Sequence, residues 1–91
     1  MTTVAVRHRV ADFAAWSIGY KEHGEVRARL GCTGDQVLRD AADPNEVLVL
    51  TRWPSADAAQ RFANDPTLPE VMKKAGVVSE PRIELYEEAG V

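Results

Sequence analysis

The 91 residues contain one cysteine, Cys32, which excludes an intramolecular disulfide framework and any multi-cysteine metal site. Basic residues are outnumbered, 11 Lys and Arg against 14 Asp and Glu, for a formal net charge of -3. The chain therefore has no overall positive field to attract nucleic acid. Its longest apolar runs, such as Val47 to Leu50, are far too short to cross a bilayer. The N-terminus lacks the charged-then-apolar pattern of a secretory signal, and the expectation is a cytoplasmic protein with no membrane partner. The sequence has no glycine-rich phosphate loop, no His-Glu-x-x-His run and no Gly-x-Ser-x-Gly elbow. Its two histidines have no nearby carboxylate cluster, so no metal is expected.

What is present is an ordinary globular composition, 45% hydrophobic and 27% charged. The length suits one domain, residues 1–91, small enough that a second subunit can add core that a monomer lacks. The first strand, about Thr3 to Val10, alternates so that Val4, Val6, His8 and Val10 share a side. That side is apolar except for one imidazole, and a buried polar ring needs a partner or a ligand.

Asp12 is placed to cap the helix that follows. Phe13, Trp16, Tyr20, His23, Arg27 and Leu30 recur at three- and four-residue steps and form one stripe of it, with Gly31 as the stop. Lys21, Glu22, Glu25 and Arg29 form its solvated face. Thr33 to Asp40 and Glu46 to Trp53 read as a hairpin across a loop of Ala, Asp, Pro and Asn. Ser55 caps a short helix, Ala56 to Asn64, and Asp65-Pro66 interrupts it. Pro69 stands early in another helix, roughly Leu68 to Ala75, and a last strand runs from about Arg82 to Glu87.

Strand, helix, strand, strand, helix with a helical extension, strand is the order of a ferredoxin-like α+β fold, a four-stranded antiparallel sheet with helices on one face. Leu48 and Leu50 point away from Val47, Val49, Thr51 and Trp53, so the third strand is apolar on both sides. A strand wet on one face should alternate; two such sheets packed face to face remove the conflict, and a homodimer is expected. Otherwise the two leucines stand singly on a surface. Arg7, Arg9 and Arg52 fall on that same outer side, with Asp40 or Glu84 as expected partners.

The resemblance rests on Val6-Arg7-His8, Thr51-Arg52-Trp53-Pro54-Ser55, Phe62-Ala63-Asn64-Asp65-Pro66 and Leu68-Pro69-Glu70-Val71-Met72. With the element order, these make nearly the whole chain resemble the dimeric α+β barrel superfamily. That superfamily includes antibiotic biosynthesis monooxygenases, small polyketide cyclases, haem-degrading monooxygenases and stress-responsive barrel proteins. The resemblance implies a pocket in each subunit between sheet and helices. Its walls here would come from Val6, His8, Val10, Val49, Thr51 and Trp53 on the strands and Trp16, Tyr20 and His23 on the first helix. Phe62, Asn64, Leu68 and Met72 would close it, around a small aromatic or hydrophobic ligand. The other reading is that these side chains fill each other's space.

Met72 stands where haem-degrading members carry an iron-ligating histidine, and Leu68 where olivetolic-acid-type cyclases carry their later histidine; His8 matches the cyclases' first-strand histidine. Antibiotic biosynthesis monooxygenases use no metal or flavin, so the resemblance implies no cofactor, with Tyr20, Trp53 and Asn64 resembling their orienting groups. The expected activity is a cofactor-independent cyclase or monooxygenase of polyketide-like aromatic substrates, with His8 as base and Tyr20 as a second catalytic group. An imidazole titrates near neutrality and suits the proton removal that both reactions share. The structural alternatives are a neutral His8 bonded to Tyr20 or Thr51 and a surface His23. At the level of the whole protein, the alternative is a non-catalytic barrel that binds a hydrophobic metabolite or acts as an accessory or stress protein.

Overall fold

The strand Thr2–Arg9 (β1) is paired along both edges, to Glu46–Trp53 (β3) on one side and Arg82–Glu87 (β4) on the other. The computed structural model describes all residues, 1–91. The remaining strand, Gly34–Arg39 (β2), pairs with the outer edge of β3, giving an antiparallel sheet in the order β2-β3-β1-β4. This is the ferredoxin-like α+β arrangement. Opposite partners Val6 and Val49, and Val4 and Thr51, place the alternating sets of both central strands on one face. Val4, Val6, Val10, Val47, Val49 and Trp53 are all buried there.

Helices cover that face. The stripe expected as one helix is divided at His23 into Phe13–Glu22 (α1) and Gly24–Arg29 (α2). Asp12 caps α1 by accepting from the Ala15 amide. At the division, Arg27 Nη2 donates to the Tyr20 carbonyl at 2.9 Å, satisfying one of the last-turn acceptors that a helix end leaves open. Gly31, with φ 111°, turns the chain toward β2. After β3 come Ala56–Ala63 (α3), capped by Ser55, and Leu68–Lys74 (α4). Trp16, Ala58, Ala59, Phe62 and Leu68 carry the helical side of the core. Gly19 lets α1 approach the end of α4: a Cβ there would lie 3.2 Å from that of Ala75.

The opposite face of the sheet has no helix over it. Leu48 and Leu50 are half-buried, while Leu38 and Tyr86 are 40% and 52% exposed. The arginine partners differ from those expected. Arg7 pairs with Glu46 at 3.0 Å, Arg9 with Asp43, and Glu84 with its strand neighbour Arg82. Asp40 is occupied in the hairpin, accepting from the Ala42 and Asp43 amides, and Arg52 forms no ion pair.

Replacing Ser55 with alanine removes the acceptor for the Ala58 amide at 3.2 Å and should cost about 1 kcal/mol, measured as a lower urea midpoint at unchanged slope.

Candidate functional site

Between sheet and helices lies a narrow slot with a cavity volume of about 60 Å³. Val6, His8, Val49 and Thr51 project from β1 and β3 into its floor. Trp16, Tyr20 and His23 line one wall from the α1 stripe, and Phe62, Leu68 and Met72 line the other. All of these were expected at a pocket from the sequence. The volume accommodates a few waters. A fused-ring ligand needs more room, and the half-buried, unbranched Met72 is the lining side chain most able to swing aside.

His8 is 4% exposed, and its Nδ1 is sealed from solvent with no hydrogen-bond partner. Its ring meets Trp16 edge-on, with centroids 5.6 Å apart. Burial lowers its pKa below the ordinary 6.5; its own main chain and the charge of Glu46 offset this only in part. Neither partner suggested by the sequence is bonded to it. Thr51 Oγ1 accepts from Trp53 Nε1 at 2.9 Å, and the Tyr20 hydroxyl donates to Asp35 Oδ2 at 2.6 Å.

That second bond fixes where the Tyr20 hydroxyl points. Asp35 lies on β2 opposite Thr51, so the phenol is drawn to the rim and its ring serves as wall. The ring stacks on Trp16 at 5.0 Å with 22° between planes. Burial, with help from the Asp35 bond, pushes the Tyr20 pKa upward, and the phenol stays protonated. His23 is half-buried at the slot, its pKa lowered by burial and then by the charge of Arg27.

Three expected wall residues lie elsewhere. Trp53, two positions beyond Thr51 on β3, is fully buried under α3 and stacks on Phe62 at 4.7 Å. Val10, past the end of β1, is 1% exposed in the core and bridges to Val77. Asn64 is the exposed C-cap of α3. In each case the residue type was right for a pocket, but its place along the element puts it beyond the end of the slot.

Sequence reasoning gave no role to Arg27, which lines the slot at only 7% exposure. Its guanidinium lies 3.7 Å from the Tyr20 ring centroid. Its position seven residues after Tyr20 on the inward stripe was the available signal. No group of three or more His, Cys, Asp or Glu side chains is arranged to hold a metal ion, and no helix is long and apolar enough to cross a membrane.

This combination of a single antiparallel sheet and one helical layer has counterparts among solved structures. Residues 11–74 match the family model for antibiotic biosynthesis monooxygenases, more than half of the chain, and the protein belongs to that family. SnoaB, a cofactor-independent oxygenase from Streptomyces nogalater, superimposes with a TM-score of 0.75 at 20% identity, covering 99% of this chain and 94% of its own. A candidate antibiotic biosynthesis monooxygenase from Bordetella bronchiseptica gives 0.80 at 16% identity over 97% and 96%. A conserved protein from Methanosarcina mazei Go1 gives 0.74 at 15% over 96% and 91%. At these identities the likeness is one of fold. No curated protein shows significant sequence similarity.

The buried imidazole makes stability depend on pH. Its folded pKa lies below 6.5, so the unfolded chain takes up the proton first. Stability should fall as pH descends from about 6.5 and level off below the folded value. His23 contributes in the same direction. Denaturant midpoints between pH 7.5 and 5 should therefore fall less in His8→Phe than in the native chain, with the His23 share remaining.

Proposed function

We propose that this chain is a cofactor-independent oxygenase that binds a flat, polyketide-like aromatic substrate in the slot and uses His8 as its base. The observation that carries this reading is a buried imidazole with an unbonded Nδ1, set against the stacked rings of Trp16 and Tyr20. Most buried polar atoms are satisfied, and a ligand is what this one lacks. Family membership supports oxygenation over cyclisation, and SnoaB provides a precedent for cofactor-free oxygen chemistry on this fold.

The chemistry closes without a further reagent. A neutral imidazole takes a proton from a methylene or phenol conjugated to the substrate's rings. The resulting carbanion is electron-rich enough to reduce dioxygen, and a carbon–oxygen bond forms. The imidazolium returns its proton to the peroxide, and loss of water leaves a ketone. In sum R₂CH₂ and O₂ give R₂CO and H₂O. Trp16, Val49, Thr51, Phe62, Leu68 and Met72 hold the rings and exclude water, and His23 stands at the mouth. The Tyr20 ring orients the substrate while its hydroxyl stays with Asp35.

The assembly belongs to the same proposal. Leu38, Leu48, Leu50 and Tyr86 lie on the uncovered sheet face, and packing that face against its copy gives a homodimeric barrel in which each chain keeps its own slot. The half-buried, unpaired Cys32 suits a cytoplasmic setting.

With anthrone as probe, oxygen uptake should fall about 10²- to 10⁴-fold in His8→Gln while calorimetric affinity for anthrone is retained. The native kcat/KM should rise with pH and reach its plateau from an inflection below 6.5, because the base must be neutral. Binding of anthrone and related phenols without oxygen uptake would instead identify a non-catalytic binding protein. Sedimentation should show a dimer for the native chain and a monomer for Leu50→Lys, which places a charge in the apolar seam.

A further inference from the structure

Arginine is almost never buried without an anionic partner, yet Arg27 is 7% exposed and forms no ion pair. The ion pairs of the molecule involve Arg7, Arg9 and Arg82, all on the outer surface. A guanidinium carries five N–H donors. Arg27 uses Nη2 on the Tyr20 carbonyl, and its flat face lies against the Tyr20 ring. Asp35, which borders an outer groove together with Arg27, is engaged by the Tyr20 hydroxyl and makes no ion pair with the guanidinium. The remaining donors have no partner in the protein, although Arg27 lines the same slot as His8.

We propose that Arg27 is a specificity-determining residue that pairs with a carboxylate or ionised phenol of the substrate, so that the slot selects aromatic acids over their neutral analogues. This rests on the slot being the substrate pocket. The guanidinium is planar and forked, suited to taking a carboxylate through two parallel N–H bonds. It is fixed in advance, stacked on Tyr20 and tied to the end of α1, so little side-chain freedom is lost on binding. The Tyr20 ring touches Trp16, and Trp16 touches His8. Arg27 and the imidazole therefore stand at opposite ends of one aromatic wall. A substrate held by both carries its acidic group remote from the carbon that His8 deprotonates. His23, adjoining Arg27 on the same wall, adds a neutral N–H donor there.

The test is calorimetric binding of 2-naphthoate and its methyl ester, which share their rings and differ in charge. The native protein should bind the acid about 10- to 100-fold more tightly at low salt, the range of a hydrogen bond to a charged group. Arg27→Met should remove the preference while keeping affinity for the ester, and Arg27→Lys should keep part of it. Equal affinity of the native protein for acid and ester would overturn this assignment and leave the pocket reading standing. Failure of both to bind would overturn the two together. The native comparison decides the question even if Arg27→Met does not fold.

Discussion

The pairing of β1 on both edges is the constraint from which the site follows. A strand held between two neighbours cannot rotate or slip by one residue without turning its whole alternating set to the wrong face. Val4 and Val6 must point under the helices, and His8, in phase with them, goes too. The imidazole is therefore carried into an apolar layer by its neighbours rather than drawn there by any bond of its own. Its Nδ1 remains without a partner. The stability of the strand offsets the cost of leaving that group unsatisfied.

Periodicity made most of the scaffold readable. The strands Glu46–Trp53 and Arg82–Glu87 and the caps at Asp12 and Ser55 follow directly from alternation and from side chains that bond to free amides. The division at His23 did not show in the same pattern, because the inward stripe continues through it in phase. What separates α1 from α2 there is a local backbone adjustment, with Arg27 folding back onto Tyr20.

The candidate site was legible as a set of faces and less so as a set of atoms. Alternation and helical spacing brought His8, Thr51, Trp16, Tyr20 and Met72 to one slot. They did not fix how far the slot runs along each element, and so Val10, Trp53 and Asn64 fell outside it. Nor does spacing reveal where a hydroxyl points: Tyr20 reaches a carboxylate contributed by a strand fifteen residues on. Arg27 was hidden for a related reason. A cation on a helix stripe usually snorkels to water, and only the packed structure shows one retained against an aromatic face.

The contact between Gly19 and Ala75 gives the molecule an adjustable dimension. Two of the smallest residues meet at the edge of the chamber, and a side chain at Gly19 would force its neighbour to give by a few tenths of an ångström. The girth of the slot is therefore open to change at a single small position on its own border, without any alteration to the sheet beneath.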